Sequence, residues 1–524
     1  MGFWIYYFVL KLALYWTDAI DLDLAYNLGF ALFVAFPLER RAARIVRQLL
    51  AVPLGTALFY HDSYFPGLDR VLEVAPDLGN FSAGYVLELL GRFFDPQEAV
   101  ALVAGGFLVF LIGKRIRIAT FVFLGLAAMP PLKAFLEKPD AAPLALAQSC
   151  PAPDQATASA AAPPLTEDGL DAYLAHFYDA ESQRQIHFAK TNKGGPPPFD
   201  IVLLHICSLA WSDIDPGERA GLFANFDLVF QGFNSAASYS GPAAIRLLRA
   251  SCGQAKHEAL YTPPAPQCFL FDGLASLGYQ RQYLMNHDGH FGGFIGNVTS
   301  RGEGGLDIAP LGDLGAESRM RSFDNTPIYE DFDLLNRWWA KRLGNPESSV
   351  ALYYNTISLH DGNVLQDQKS ASSMKTYPDR MHRLVADIGR FIGTLEQSGK
   401  PVLLVVVAEH GAALHGEKNF IAGMREIPAP SITEVPLAIK FIGLPQFKPA
   451  ASIVTPKKIS YLALAELIRK ATESPSSGLD AAQLIRELPE TAFVSTNDAT
   501  TVIGVSDRYW LKAGVMPWSE YGGK

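Results

Sequence analysis

Residues 401–411 read Pro401-Val-Leu-Leu-Val-Val-Val-Ala-Glu-His-Gly411, and this stretch decides the fold of the chain. Seven apolar residues, Val402–Ala408, stand unbroken before an acid and a histidine. An apolar run rich in β-branched residues is typical of a strand buried on both faces of a parallel sheet that helices cover. Ligands bind beyond the carboxyl ends of such strands, so Glu409 and His410 are candidate site residues. The alternative is that both are solvated loop residues.

Strand and helix patterns alternate around this stretch over about 300 residues. The alternation predicts an α/β/α sandwich around a largely parallel sheet. The predicted strands are residues 200–209, 349–358, 402–408 and 435–442, and the predicted helices are residues 169–189, 242–251, 380–397 and 461–472.

Apolar segments dominate the first 137 residues and predict a membrane anchor. A bilayer span needs about 20 residues, and five segments reach or approach this length: residues 3–16, 24–38, 45–60, 99–113 and 118–136. The loops at 39–47 and 114–117 are basic, so the positive-inside rule places both in the cytoplasm. Five spans follow, with the amino terminus inside and everything after residue 136 outside.

Residues 81–94 have helical apolar spacing and predict an amphipathic helix in the membrane interface. The alternative is a sixth span, which would place the large domain inside. The predicted domains are a transmembrane anchor at 1–137, an Ala/Pro-rich linker at 138–164 and a catalytic domain at 165–524.

Charge and cysteine usage narrow the functional classes. The net charge of −9 comes without a basic stripe, so we expect no nucleic-acid partner. No cysteine pair has the CxxC spacing of a zinc ribbon. Cys252 and Cys268 enclose a polar, proline-rich segment, and they predict a disulfide if this half lies outside the cytoplasm. The alternative is two reduced, buried cysteines.

Two further residues join Glu409 and His410 at the expected edge of the sheet. Cys207 lies at the carboxyl end of the first strand of the domain, as a metal ligand or as small apolar filler. Ser240 precedes the helix that begins near Pro242, as a nucleophile or as a helix cap. Together the four residues offer sulfur, oxygen and nitrogen donors, a mixture that suits zinc better than magnesium or calcium.

This arrangement resembles the alkaline phosphatase superfamily and, more narrowly, the membrane-anchored phosphoethanolamine transferases. The motifs that carry the resemblance are Cys207, residues 234–243 (Asn-Ser-Ala-Ala-Ser-Tyr-Ser-Gly-Pro-Ala), residues 249–254 (Arg-Ala-Ser-Cys-Gly-Gln) and residues 408–412 (Ala-Glu-His-Gly-Ala). In the lipid A transferases the first ligand is acidic and the nucleophile is threonine. Cys207 and Ser240 depart from that pattern, and the chain looks most like the cellulose-modifying branch, the G subunits of bacterial cellulose secretion systems.

The resemblance implies a reaction in which Ser240, stabilised by zinc, attacks phosphatidylethanolamine and expels diacylglycerol. The phosphoethanolamine then passes to the C6 hydroxyl of a glucosyl unit of cellulose. His360 would contact the phosphate or leaving group, Arg425 would bind phosphate oxygens and Tyr239 would line the pocket. Each of the three has a purely structural alternative.

The same resemblance implies a multi-pass protein of the bacterial inner membrane, with its catalytic domain in the periplasm. Its expected partners are the membrane, the donor lipid, the cellulose acceptor and other subunits of the cellulose secretion complex. Three other functions stay open: transfer to another envelope glycan or to lipid A, hydrolysis by a phosphatase or sulfatase of the same superfamily, and a largely structural role in the complex.

Overall fold

The fold is that of a computed structural model, which describes the chain except for residues 1–2, 17–19, 21, 64–78, 80, 94–103, 108, 110, 112–117, 137–163, 189–196, 303–313, 346–347, 369–371, 418–419, 474–479, 515 and 523–524. The predicted linker at 138–164 therefore lies almost wholly outside the described residues, as does most of the apolar segment at 99–113.

A seven-stranded sheet forms the centre of the large domain. The strands of this domain are β1 Asp200–Ile206, β2 Leu228–Phe230, β3 Gln280–Met285, β4 Ser318–Arg321, β5 Pro327–Tyr329, β6 Val350–Thr356, β7 Val364–Leu365, β8 Val402–Ala408, β9 Leu437–Ile442, β10 Ile453–Thr455, β11 Val494–Thr496, β12 Thr500–Val505, β13 Arg508–Ala513 and β14 Ser519–Tyr521. The order in the large sheet is β10-β2-β9-β8-β1-β6-β3. Strands β8, β1, β6 and β3 run parallel, which confirms the prediction for the centre of the sheet.

Strand β9 reverses the direction of the sheet, since it pairs antiparallel with both β8 and β2. The sequence predicts a strand here, but an apolar run carries no information on strand direction. β3 was not predicted, because this edge strand begins with the polar residues Gln280-Arg-Gln and only its second half is buried. Two small antiparallel sheets, β11-β12-β13-β14 and β5-β4-β7, were also not predicted.

The register of the central strands brings their carboxyl ends to one level. Ile206 at the end of β1 pairs with Ala408 of β8 and with Thr356 of β6. All residues of β1, β6 and β8 are buried, as expected for strands covered on both faces. Residues that follow Ile206, Ala408 and Thr356 therefore share one edge of the sheet.

Helices cover both faces of this sheet. The helices of seven or more residues are α1 Trp4–Trp16, α2 Leu24–Ala35, α3 Arg41–Asp62, α4 Ala83–Phe93, α5 Ile118–Leu136, α6 Glu167–Ser182, α7 Ser240–Leu248, α8 Leu270–Ser276, α9 Asp331–Leu343, α10 Ser373–Gln397, α11 Tyr461–Glu473 and α12 Ala481–Glu487. Leu384 and Ile388 of α10 lie with Ile206 on one face, whereas the hydroxyl of Tyr461 in α11 reaches Nε2 of His205, 3.4 Å away, on the other. The α/β/α architecture is therefore confirmed.

The N-terminal region is helical, but its number of membrane spans is not settled by helix length. Among the described residues, only α3 is long and apolar enough to cross a membrane alone, while α2 and Ile118–Met129 form shorter apolar helices. α1 has 13 residues, which at 1.5 Å per residue span about 20 Å of the roughly 30 Å hydrocarbon core. The five-span arrangement therefore stays a prediction.

The basic segment at 39–47 is not wholly a loop. Helix α3 begins at Arg41, so Arg44 and Arg47 lie in its first two turns. Arg47 donates a hydrogen bond to the carbonyl oxygen of Phe36 at 2.5 Å, next to the end of α2. A helix is confirmed within the predicted segment 81–94, as α4, and its place in the membrane interface stays a prediction.

Candidate metal centre

Three of the four predicted ligands come from the ends of two adjacent strands. Cys207 follows β1, and Glu409 and His410 follow β8. The amide of Glu409 donates to the carbonyl oxygen of Ile206 at 2.8 Å, and the amide of Leu209 donates to the carbonyl oxygen of His410 at 2.7 Å. The backbone hydrogen bonds between β1 and β8 thus continue past the ends of both strands, and they hold the loops that follow the two strands side by side.

The donor atoms of this cluster have the spacing of a tetrahedral site. One ligand atom from each of Cys207, Glu409 and His410 lies within 4.8 Å of the others, and all three residues are buried. The Cys207 Sγ–His410 Nε2 and Glu409 Oε2–His410 Nε2 distances are both 3.8 Å. Ser240 Oγ lies 3.3 Å from the sulfur and 3.2 Å from Nε2. Ligands about 2.0–2.3 Å from one ion are separated by about 3.3–3.8 Å at tetrahedral angles.

The hydrogen bonds around the cluster leave its inner atoms free to bind a cation. His410 Nδ1 lies 2.8 Å from the carbonyl oxygen of Gly411, so donation to that carbonyl leaves the Nε2 lone pair inside. Glu409 Oε1 accepts from Asn355 Nδ2 at 2.5 Å. Its other oxygen, Oε2, is buried without a hydrogen-bond partner in the described part of the chain. These residues therefore fit a metal ion.

Burial opposes the ionised forms of these ligands when no cation is present. It raises the pKa of the Cys207 thiol to about 12, with the Glu409 carboxylate adding to the shift. It raises the pKa of Glu409 to about 7 and lowers that of His410 well below its usual value. A thiolate and a carboxylate buried together need a compensating positive charge, which a bound divalent cation would supply.

Ser240 is the first residue of α7, two residues before the predicted start at Pro242. The capping position belongs to Tyr239, and no side chain caps the helix there. The Ser240 hydroxyl faces Cys207 and His410 instead. The Ser240 side chain therefore does not cap this helix, and its role as a nucleophile stays a prediction.

Two other serines of the same loop are turned away from the cluster. Ser235 donates to the carbonyl oxygen of Thr433 at 3.3 Å, and Ser238 donates to that of Arg425 at 2.5 Å. Both hydroxyls are buried in contacts that fix the loop. Ser240 is the serine of this loop that faces the ligands.

Arg425 and Tyr239 lie beside the cluster. The Nη1 atom of Arg425 donates to Ser208 Oγ at 3.3 Å and lies 3.2 Å from His410 Nδ1. The guanidinium also lies 5.6 Å from the centre of the Tyr239 ring, whose hydroxyl donates to Glu426. A positive charge is thus held next to the candidate ligands.

His360 follows β6 on the same sheet edge. Its Nδ1 lies 2.7 Å from the carbonyl oxygen of Asp361. Burial, together with the positive charge of Arg425, lowers the pKa of His360 to about 4. The imidazole is therefore neutral near pH 7, and donation from Nδ1 leaves Nε2 as an acceptor.

Several residues that hold the site were not identified in the sequence. Asn355, near the end of β6, orients Glu409, and the only signal for it was a polar residue inside a buried strand. Asp213 Oδ2 accepts from the amides of Ala210 and Ala412, both at 2.8 Å, and so joins the loops that follow β1 and β8. No local pattern in the sequence marks Asp213 for this role.

The C-terminal sheet also contributes to the site through Asn497, between β11 and β12. Its Nδ2 donates to Ser238 Oγ at 2.6 Å and to the carbonyl oxygens of Arg425 and Glu426 at 3.1 and 2.9 Å. One amide therefore ties the serine loop to the arginine loop.

The structure describes three cysteines, Cys207, Cys252 and Cys268. Cys252 and Cys268 form a disulfide with their Cα atoms 4.9 Å apart. Cys207 is free and buried. The pairing of Cys252 with Cys268 is therefore as predicted, whereas the role of Cys207 as a ligand stays a prediction.

Fold and site together define an α/β protein with metal-type donors beside a serine hydroxyl at a helix start, preceded by an apolar helical region. The family models described as the N-terminal and C-terminal domains of cellulose biosynthesis protein BcsG match residues 4–131 and 154–518. The chain therefore belongs to the BcsG family.

Curated relatives agree over nearly the whole chain. Cellulose biosynthesis protein BcsG of Escherichia coli strain K12 is 35% identical over 546 residues, covering 99% of this chain and 96% of the relative. The protein of the same name from Salmonella typhimurium is 36% identical over 547 residues, with the same coverage of 99% and 96%. A solved alkaline phosphatase superfamily protein from Vibrio parahaemolyticus is 12% identical, covers 67% of this chain and 87% of its own, and has a TM-score of 0.47. That likeness is too low to carry an argument.

Proposed function

We propose that the protein transfers phosphoethanolamine from phosphatidylethanolamine to the C6 hydroxyl of glucosyl units in cellulose. The observation that carries this proposal is the Ser240 hydroxyl, 3.3 Å from Cys207 Sγ and 3.2 Å from His410 Nε2, in a chain of the BcsG family. The relatives' name, cellulose biosynthesis protein, supports the acceptor. The apolar N-terminal helices support a lipid donor.

The proposed reaction has two steps, both at phosphorus. Ser240 Oγ forms a bond to the phosphorus, the bond to the glycerol oxygen breaks, and diacylglycerol leaves with the serine proton. The glucosyl O6 then attacks the phosphoserine, the bond between Ser240 Oγ and phosphorus breaks, and the serine regains a proton. Arg425 would balance charge on the phosphoryl oxygens. His360 Nε2, as an acceptor, would contact the proton of the leaving or incoming hydroxyl.

We propose zinc as the metal, held by Cys207, Glu409, His410 and Ser240. Sulfur, nitrogen and oxygen donors at tetrahedral spacing favour zinc over the harder magnesium and calcium ions. When bound, zinc would supply charge stabilisation for the serine alkoxide. The chain itself supplies the orientation, since Asn355 fixes Glu409 and Gly411 fixes His410.

We propose that the N-terminal region crosses the bacterial inner membrane five times and leaves the catalytic domain in the periplasm. Large apolar side chains exposed on separate helices support a lipid-facing surface: Leu32 is 61% exposed, Leu49 70% and Phe121 60%. Such residues are costly in water and suit hydrocarbon. The disulfide between Cys252 and Cys268 suits an oxidising compartment.

Reporter fusions test this topology. A reporter that is active only outside the cytoplasm should work when it is fused after Leu136 and should fail when it is fused within residues 39–47. The basic loops between the second and third segments and between the fourth and fifth segments set this orientation. An inactive reporter after Leu136, together with an active one within residues 39–47, would contradict the compartment and, with it, the lipid donor.

A transfer assay tests the function itself. Full-length protein in vesicles that contain phosphatidylethanolamine labelled in its ethanolamine group should move the label onto added cellulose oligosaccharides. Mass fragmentation of the product should place the group on C6. Label on lipid A or on another glycan would replace the acceptor, whereas no label on any acceptor would favour the structural role.

A further inference from the structure

Helix α4 of the N-terminal region lies against the catalytic domain through its polar face. Arg92 makes a two-fold contact with Asp361, with Nη1–Oδ2 and Nη2–Oδ1 distances of 2.6 and 2.7 Å. Glu88 accepts from the amide and the hydroxyl of Ser373 at 3.1 and 2.8 Å. Tyr85 donates to Asp361 Oδ2 at 3.1 Å. Three residues on one face of α4 thus bind the loop after β6 and the first residue of α10, which both belong to the catalytic domain and lie far away in the sequence.

This contact is largely shielded from water. The side chains of Arg92 and Asp361 are only 13% and 12% exposed. Burial alone would raise the pKa of Asp361, but the hydrogen bonds and charge of Arg92 hold it well below its usual range. A paired, bidentate arginine and carboxylate of this kind fix both distance and orientation, unlike an exposed ion pair.

Aromatic rings extend the contact to the candidate site. Phe81, just before α4, lies 5.3 Å from the Phe323 ring, and Tyr85 lies 5.8 Å from it. The Phe323 ring in turn lies 5.1 Å from the ring of His360. The segment that carries α4 therefore reaches the proposed substrate-contacting histidine through one intervening side chain.

The opposite face of α4 is apolar and has no cover in the described part of the chain. Val86 is 38% exposed and Leu87 is 69% exposed. In an ordinary amphipathic surface helix the polar face contacts water, but the polar face of α4 contacts the catalytic domain.

We infer that α4 docks the catalytic domain onto the lipid surface, with Arg92 as a positioning residue and with Val86 and Leu87 towards the bilayer. The inference rests on the proposed function and deepens it. The phosphate of the donor lipid lies at the level of the lipid headgroups. A catalytic domain held at that level needs no large movement to bring Ser240 to the phosphorus. Arg92 acts through Asp361 and does not touch the substrate.

Assays with two different donors distinguish an effect on membrane docking from an effect on the chemical step. Full-length protein in vesicles of phosphatidylethanolamine and phosphatidylcholine is assayed with the lipid donor and with a water-soluble aryl ester of phosphoethanolamine. Arg92→Ala should lower the rate with the lipid donor by about tenfold or more and change the rate with the soluble ester by less than about twofold. Glu88→Gln, which weakens the contact with Ser373 on the same face, should show the same selective loss.

Arg383→Ala is the matched control. Arg383 forms a comparable pair with Asp367, but the two side chains are 47% and 60% exposed, so both rates should stay unchanged. Equal losses with the two donors in Arg92→Ala and Glu88→Gln would overturn the inference, because α4 would then act on the chemistry. Unchanged rates with both donors would overturn it as well. Wild-type protein that turns over neither donor would instead refute the proposed function.

Discussion

Replacing Ser240 by alanine should abolish phosphoethanolamine transfer, with a loss on the order of a thousandfold or more, while the catalytic domain stays folded. The hydroxyl is the proposed nucleophile, and no other serine of its loop faces the ligands. Because Tyr239 occupies the capping position, the helix loses no side-chain cap, and the stability cost should lie below the roughly 1 kcal/mol of a lost cap. Transfer rate and thermal unfolding measure the two effects.

Covalent trapping identifies the nucleophile directly. Without an acceptor, wild-type protein and labelled donor should leave one phosphoethanolamine mass on the peptide that contains Ser240. Ser235→Ala is the matched control, since it removes a hydroxyl of the same loop that contacts the backbone carbonyl oxygens of Ala237 and Thr433 and not the candidate ligands. It should keep the label. Full activity in Ser240→Ala, with no label on the loop, would refute the covalent mechanism.

Removing a metal ligand should lower metal content and rate together. Cys207→Ala and His410→Ala each delete one donor of a buried cluster, so we expect a purified protein with little bound metal and at least about a hundredfold less transfer. Treatment of the wild type with a chelator should have the same effect, and added zinc should restore it. Metal analysis and transfer assays on the same samples test both quantities.

His360→Ala separates metal binding from catalysis. His360 lies beside the cluster but donates no atom to it, so this variant should keep its metal and lose rate. Loss of metal in His360→Ala would place this residue among the ligands. Normal metal content in Cys207→Ala would remove the thiol from the site, and an apolar role would then explain its burial.

The sequence predicts the centre of the sheet well, since burial on both faces leaves a strong local pattern. Strand β8 has the predicted bounds, Val402–Ala408, because it contains seven apolar residues between a proline and an acid. The candidate ligands follow from the same pattern, because ligands bind beyond the carboxyl ends of the strands in such a sheet. Glu409 and His410 were therefore identified together.

Contacts between segments that are far apart in the sequence leave no such local pattern. Asn355 and Asp213 orient the site through side-chain hydrogen bonds, and a single asparagine or aspartate does not stand out in a chain of 524 residues. The pair of Arg92 and Asp361 joins residues that are 269 positions apart, and neither sits in a periodic pattern that points to the other. Amphipathic spacing predicts α4, but it does not predict which face of α4 contacts the catalytic domain.

The position of Asn497 has a consequence for biogenesis. Its side chain ties the loop of Ser238 to the loop of Arg425, and it follows these residues by 259 and 72 positions. These loops therefore gain this tie only after residue 497 has been synthesised. During synthesis, the two loops therefore wait for the sheet that contains β11 and β12 before their relative position is fixed. We expect the candidate site to reach its final geometry only after this sheet has packed against the loops.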